Sequence, residues 1–421
     1  MRPAARIQAA IEILEGLGSS RLPADRFIRD FFRARRYAGS KDRSSVTERV
    51  YDVFRLRASY AWRMKSDAPR SLVMASLLNE GASVDDIAAL FDGEGHGPAA
   101  LTDAERTALA APPSGEPAAN IRGEYPQFLE SEINRAFGDT AADEMIALQS
   151  RAPVDLRVNT LKATRDDVVA ALNGEGFDAQ PTRHSPLAIR LENAKGLAAL
   201  QQSKLFLDGA FEFQDEAAQI AVALASAKPG MKVLDLAAGA GGKSLALAAA
   251  MQNKGEITAH DIDAGRLRQI EPRATRAGIS IIQTHAGTKP PGRPYDLVFL
   301  DAPCSGSGTW RRAPENKWRL TPERLDQLNA LQDMLLDQAA ARAAGKARIV
   351  YATCSFLPRE NEDRVAAFLT RHPAFAIQPA AQIWRETAGT EPPPGVGAFF
   401  KATPRTTGTD GFFAAILARG A

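Results

Sequence analysis

Tyr295-Asp296-Leu297-Val298-Phe299-Leu300 is followed directly by Asp301-Ala302-Pro303-Cys304-Ser305-Gly306-Ser307-Gly308-Thr309-Trp310. The first six residues read as a buried strand of a parallel sheet, because such strands are apolar on both faces. An acid and a thiol then stand just beyond the strand's carboxyl end, the edge at which open α/β sheets bind ligands. The arrangement recurs downstream. Ile349-Val350-Tyr351-Ala352 reads as a second buried strand, and Thr353-Cys354-Ser355-Phe356-Leu357-Pro358 follows it. The 421 residues contain 2 cysteines, and both fall in this kind of place.

Working outward, strand, loop and helix alternate from about Gln214 onward. Lys232–Leu236, Glu256–His260, Ile279–Thr284, Tyr295–Leu300 and Ala347–Ala352 read as strands. Lys243–Met251, Ala264–Ala277 and Thr321–Ala344 read as helices between them. This alternation implies a Rossmann-like, doubly wound parallel sheet with helices on both faces. Phe412–Leu417 would close it as a further strand, parallel or antiparallel.

Upstream, residues 121–213 mix helical spacing with two strand-like runs, Pro153–Asn159 and Ala188–Leu191, and suggest a small α+β module. Asp92–Pro98 and Pro112–Pro117 are rich in Gly, Pro and Ala, so residues 91–120 read as a linker. Residues 1–90 read as an all-α bundle. Ile7, Ile11, Leu14 and Leu17 form one apolar face, and Ser45 with Glu48 is spaced like a capping box. Residues 1–65 carry 15 Lys and Arg against 7 Asp and Glu, a balance of +8. The total of +2 therefore leaves −6 for the remainder. A basic head suggests a polyanionic partner, and solvated helix faces are the plainer reading. No apolar run approaches the roughly 18 residues of a membrane span. Two cysteines make no disulfide framework, which points to a reducing, cytoplasmic setting.

The first βα turn is Asp235-Leu236-Ala237-Ala238-Gly239-Ala240-Gly241-Gly242-Lys243-Ser244. Glycines here let the backbone approach a ligand, and Asp261, at a strand end about 20 residues on, is placed to hold ribose hydroxyls. Asp263 is close by. A phosphate-binding P-loop is the rival reading, since Gly242-Lys243-Ser244 fits its end, but its leading glycine would fall on Ala237. Metal binding lacks partners: the five histidines are scattered and no Cys-x2-Cys occurs. A thiol and an acid beside an adenosyl site suit one chemistry in particular. Carbon C5 of cytosine is a poor nucleophile until a thiolate adds to C6 and turns it into an enamine carbon. A carboxylic acid can meet the charge that develops at N3, and a second group can help remove the C5 proton and the thiol.

Asp301-Ala302-Pro303-Cys304, Ala352-Thr353-Cys354-Ser355 and the glycine-rich turn occur in the same order in the RsmB/Nop/Sun family, which this chain resembles over about residues 125–421. Arg311–Trp318, Phe356–Glu362 and Arg157–Leu161 look like the family too. The stretch Phe27–Arg57 resembles the NusB-like RNA-binding domain that heads some bacterial rRNA methyltransferases. The resemblance implies an S-adenosylmethionine-dependent RNA 5-cytosine methyltransferase acting on small-subunit rRNA, with no metal and no membrane. Cys354 would be the nucleophile, Cys304 the assistant in release, and Asp301 the contact to cytosine near the methyl donor. Ala237, Ala238, Gly239, Ala240, Gly241, Gly242 and Lys243 would wrap the cofactor, and Asp261 would hold its ribose. Two departures stand out. Ala240 replaces a proline of the family's turn, and Thr284-His285-Ala286-Gly287 lacks the acid expected near the adenine. The rival functions are a P-loop-like NTPase and a non-catalytic RNA-binding protein that kept the fold.

Overall fold

Five of the expected strands become the parallel strands of one sheet. The computed structural model describes residues 1–111, 113–191, 197–388 and 391–419. Pro112 of the expected linker, residues 192–196 of the expected α+β module and residues 389–390 and 420–421 of the last expected domain lie outside the described residues. The chain divides into two units: Met1–Ser150 with Trp310–Leu320, and Arg151–Thr309 with Thr321–Ala421.

The larger unit begins with a small antiparallel sheet. Its strands are β1 (Val154–Val158), β2 (Ala179–Pro181), β3 (Ala188–Leu191) and β4 (Phe211–Phe213), in the order β2-β3-β1-β4. Helix Arg165–Gly174 contributes Val168 and Leu172 to its core, beside Leu156, Val158 and Phe211.

The main sheet follows, with β5 (Lys232–Leu236), β6 (Glu256–Asp261), β7 (Ile282–Ala286), β8 (Tyr295–Asp301), β9 (Ala343–Thr353), β10 (Phe375–Gln378), β11 (Phe400–Ala402) and β12 (Phe412–Arg419). Its order is β10-β12-β9-β8-β5-β6-β7, with β11 paired to β12. Strands β5 to β9 run parallel, while β12 lies antiparallel to β9. From β5 the chain winds outward through β6 to β7, then returns to β8 on the other side of β5. The reversal puts a topological switch point between β5 and β8, where a crevice opens at the carboxyl edge. Both faces are covered: Val233, Leu297, Phe299 and Val350 face one apolar cluster, and Leu234, Val298, Leu300 and Ile349 face the other. That double burial is why these strands read as unbroken apolar runs.

Local corrections have identifiable causes. The expected helix Ala264–Ala277 is two helices, Ala264–Leu267 and Ile270–Ala277. Pro272 has no N–H to give the carbonyl four residues back, and its ring crowds that turn. The third strand starts at Ile282 and not Ile279. In the smaller unit, Ser45 does not open its helix. Ser40–Arg55 starts earlier, where the Asp42 carboxylate accepts from Gly39 N at 3.1 Å, from the Met1 ammonium at 2.8 Å and from Arg6 Nε at 2.8 Å. Residues 91–120 do not behave as a linker either. Phe91, Leu101 and Leu109 are buried in the helical core, and helix Asp103–Ala110 is fastened by Arg63, which donates to Ala108 O and Leu109 O at 2.6 Å each. Arg70 pairs with Glu105 at 2.7 Å. The Thr102 side chain, which accepts from Glu105 N and caps this helix, and the two arginine clamps outweigh the breaker composition of the flanks.

Trp310–Leu320, which continues from the first thiol motif, belongs to this smaller unit. Lys317 Nζ donates to Arg55 O at 2.9 Å, Trp318 Nε1 to Phe54 O at 2.6 Å, and Arg319 Nη1 to Leu22 O at 2.9 Å. Glu124 accepts from Ala58 N and Ser59 N at 2.8 and 2.9 Å. At the junction of helices Ser40–Arg55 and Arg57–Met64, a cation thus meets the carboxyl end of one and an anion the amino end of the next, as the helix dipoles favour. No helix among the described residues is long and apolar enough to cross a membrane.

Candidate active site

The carboxyl ends of β5, β6, β8 and β9 bring the expected residues together. After β5 the chain turns through Ala237 at φ 72, Gly239 at φ 57 and Gly241 at φ 80, and enters helix Gly242–Ala250. A Cβ at Gly239 would lie 2.3 Å from Arg266 Nη2, and one at Gly241 would lie 2.6 Å from Ile270 Cγ1, so neither position accepts a side chain. Ala237 occupies the left-handed region without being glycine. Such strain costs about 1 kcal/mol or more and collects at functional sites.

The turn's carbonyls are held from beneath. Arg273 Nη1 donates to Ala240 O at 2.6 Å, and Arg157 Nη1, from β1, donates to Gly242 O at 2.8 Å. Glu212 on β4 pairs with both Arg273 and Arg276. Burial draws Arg157 down to about 10, which still leaves it charged at neutral pH. Asn159 Nδ2 donates to Gly209 O and Ala277 O at 2.9 Å each. The small sheet is therefore part of the scaffold of the turn. Sequence reasoning had singled out Arg157 and Asn159 through a resemblance, and Glu212 and Arg273 not at all. Nothing in their local spacing points across about 60 residues.

Asp261 closes β6. Its Oδ2 accepts from Gly239 N and its Oδ1 from Asp263 N, both at 2.8 Å. Each carboxylate oxygen has two lone pairs, so both retain capacity for a hydroxyl donor. That is the fit a ribose needs. Beside the turn, Asp235 is wholly buried. Burial raises it to about 7, although Ser244 Oγ donates to Oδ2 at 2.5 Å, and Oδ1 has no partner among the described residues. β7 ends at Ala286, and the backbone continues into Gly287 with no acid. His260 and His285 instead meet there with Nδ1 atoms 3.1 Å apart.

Lys243 Nζ donates to Asp301 Oδ2 at 2.5 Å. Burial pulls Lys243 down, but the charge and hydrogen bond of Asp301, and then the charge of Cys354, outweigh it and hold it above the usual lysine range. The lysine of the P-loop reading is thus committed to the acid at the end of β8. Asp301 Oδ1 has no partner among the described residues, and the side chain keeps 32% of its exposure.

Pairing of β8 with β9 sets Asp301 opposite Ala352, so the two thiol loops leave neighbouring strand ends side by side. Cys304 Sγ and Cys354 Sγ are 3.4 Å apart, both free and partly buried. Gly308 N donates to Cys354 O at 3.0 Å and ties one loop to the other. Gly308 has to be glycine, because a Cβ there would fall 2.0 Å from Gly411 O. The Cys304 thiol is pushed well above its ordinary value, first by its hydrogen bond with Cys354, then by burial, and then by the charges of Cys354 and Glu360. Among the described residues no three His, Cys, Asp or Glu gather as a metal site. Arg311–Trp318, read from sequence as the tail of the Cys304 motif, lies in the smaller unit.

Known proteins resemble this chain over most of its length. The family described as "16S rRNA methyltransferase RsmB/F" matches residues 221–418, and "Methyltr_RsmF/B-like, ferredoxin-like domain" matches residues 125–198. Ribosomal RNA small subunit methyltransferase B of Photorhabdus laumondii is 32% identical over 300 residues, 70% of this chain and 66% of that protein. Its counterpart in Pectobacterium carotovorum is 34% identical over 306 residues, again 70% and 66%. The chain therefore spans slightly under two thirds of the length of these curated relatives. Among solved structures, PH0851 is 25% identical at a TM-score of 0.78, with 99% of both chains covered. A methyltransferase homolog protein from Pyrococcus horikoshii is 26% identical at 0.60, covering 72% of this chain and 98% of that one.

Proposed function

Because this chain belongs to the RsmB/F family of 16S rRNA methyltransferases, we propose that it methylates C5 of a cytosine in small-subunit rRNA, with S-adenosylmethionine as donor. The observation that carries the reading is the pair of free thiols 3.4 Å apart, beside the Asp301–Lys243 ion pair at the switch point of the sheet. Bound at the turn Ala237–Lys243, S-adenosylmethionine supplies an electrophilic methyl carbon. Asp261 receives its ribose hydroxyls. The helical head holds RNA through its unpaired cations.

Cys354 attacks C6 of the cytosine as a thiolate, and the pair displaced from the C5–C6 bond makes C5 nucleophilic. Asp301 accepts through its free oxygen from the exocyclic amine of the cytosine, and a proton from water neutralises the charge that develops at N3 and returns to water on release. Lys243 stays ionised against Asp301 and lends positive charge near the Cys354 sulfur. After methylation C5 carries both a proton and the new methyl group. Loss of the proton restores the double bond and expels the Cys354 sulfur. The base must leave its stack to be reached at C6, so an unpaired or loosely paired cytosine reacts best.

The test is a denaturing gel of each thiol variant with labelled RNA and S-adenosylmethionine, beside bisulfite-type mapping of 5-methylcytosine. Cys354→Ala should be inactive and leave the RNA free. Cys304→Ala should accumulate a protein–RNA species that survives denaturant, and removing both thiols should abolish it. Trapping by Cys354→Ala alone would reverse the two roles. Unchanged turnover in both single variants would sink thiol catalysis and leave an RNA-binding protein that kept the fold.

A further inference from the structure

Glu360 and Asn361 are neighbours in the chain, and each grips the flanks of a different thiol. Glu360 is fully buried, in the 3-10 turn Pro358–Glu360. Its Oε1 accepts from Ser305 N at 2.8 Å and from Gln332 Nε2 at 3.1 Å, and its Oε2 accepts from Ser305 Oγ at 2.5 Å. Gln332 Nε2 also donates to Pro303 O at 2.9 Å. Both residues adjoining Cys304 are therefore tied to one carboxylate, directly or through one glutamine. Asn361 does the same for Cys354. Its Oδ1 accepts from Thr353 Oγ1 at 2.6 Å, and its Nδ2 donates to Ser355 O at 2.9 Å. Tyr351 OH, donating to Glu360 O at 2.5 Å, anchors the turn to β9.

We infer that Glu360 is a positioning residue that holds Cys304 as an S–H donor against the sulfur of Cys354, so that Cys304 assists release by hydrogen-bonding the leaving sulfur and not as a base. The inference rests on the thiol chemistry proposed above. The buried carboxylate sets the position of Cys304 and opposes its ionisation. The groups that face Cys304 are Cys354, Glu360 and Tyr351, and all three act in that direction or are neutral. Across the pair, Lys243 lies close enough to Cys354 to feel its charge. In release, the C5–H bond breaks and its proton goes to water. Its electron pair forms C5=C6, and the C6–S pair returns to Cys354, whose thiolate accepts the Cys304 S–H. No second thiolate is required.

Serine separates donor from base, because a hydroxyl donates a hydrogen bond well but is too weakly acidic to supply an anion near neutral pH. The full-length chain is given an unmodified small-subunit rRNA transcript and S-adenosylmethionine, and the denaturant-stable species is followed over time. Cys304→Ser should clear it at least about tenfold faster than Cys304→Ala. In the wild type, release should fall as pH rises through the Cys304 ionisation. In Glu360→Gln the fall should come at lower pH, because the opposing charge is gone. A purely structural role for Glu360 would lower the release rate without moving its pH profile, and so would overturn that part. Trapping by Cys304→Ser that lasts as long as trapping by Cys304→Ala, or wild-type release that rises as Cys304 ionises, would overturn the donor role. The serine comparison decides that role even if Glu360→Gln fails to fold. If Cys354→Ala methylates normally, the underlying thiol chemistry has failed, an outcome visible in a different variant.

Discussion

The carboxyl edge of the main sheet and the surface of the helical head are both dense in charge, and they use it in opposite ways. At the edge, charged groups from separate strands converge. Lys243, Asp301, Asp261 and the Cys354 loop come from four different strand ends. In the head, most arginines are consumed locally. Arg35 pairs with Glu12 and stacks on Phe31, Arg43 donates to Ala38 O, Arg49 meets Ser76 and Glu80, and Arg63 and Arg70 clamp residues 99–111. A surplus of +8 in sequence therefore overstates the charge on offer. A strand end, by contrast, fixes its acid in a crevice where few partners can reach it.

The contrast predicts its largest effect at the edge. If Asp261 holds the ribose, Asp261→Ala removes charge-assisted hydrogen bonds worth roughly 1.5–3 kcal/mol. Calorimetry should then find S-adenosylmethionine binding weakened about ten- to a hundredfold. Some of that loss would come through the turn, because Gly239 N also loses its acceptor. Asp261→Asn, which keeps an acceptor, should recover part of the affinity. Unchanged binding in a folded Asp261→Ala protein would move the ribose contact elsewhere, with Asp263 next in line.

How much of this was legible depended on what kept each element in place. Strands β5, β8 and β12 could be read to within two residues, because burial on both faces leaves a short apolar run too brief for a helix. The thiol loops were legible because Cys, Pro and Gly sit together immediately after such runs. Residues 91–120 were misread, because their order depends on Arg63 and Arg70, which lie far upstream and carry no local signal. The same holds for Glu360. It looked like one more residue of a family-like run, and its role is visible only once Ser305 and Gln332 are seen to converge on it. Arginines of the head were read as a surface, since sequence does not say which of them meet a carbonyl.

A middle-sized effect should come from Lys317, a buried lysine of the smaller unit. Burial depresses Lys317 to about 7, against an ordinary lysine value of 10.5, while Glu124 and the carbonyl of Arg55 favour its charge. Between those two pH values the unfolded chain binds a proton that the folded chain does not, so folding becomes more favourable as pH rises from about 7 toward 10. Below 7 both states are protonated and the penalty is fully present. Lys317→Met removes this dependence. The melting temperature of the wild type minus that of the variant should therefore rise from pH 6.5 to pH 9.5. Roughly 2 °C or more is expected if about 1 kcal/mol is involved. A difference that stays flat across this window would mean Lys317 remains charged in the folded head.

The smallest effect tests whether the head offers any charge at all. Arg21, Arg26, Arg36 and Lys41 are exposed and make no ion pair or side-chain hydrogen bond among the described residues, and Tyr37 beside them is 71% exposed. Phosphate contacts release counterions, so each contributes about 0.7 to the slope of log affinity against log salt on single-stranded RNA. Replacing the four cations with glutamine should flatten that slope by up to about 3 and weaken RNA binding at low salt, while leaving S-adenosylmethionine affinity unchanged. Arg49→Met is the contrasting variant, because its guanidinium is committed to Ser76 and Glu80 and its side chain is 13% exposed. It should lower the melting temperature and leave the salt slope alone. If both variants flatten the slope equally, committed and free arginines are not distinct, and the head acts as one diffuse basic field. If neither does, RNA is held elsewhere on the chain and the head's charge serves only its own helices.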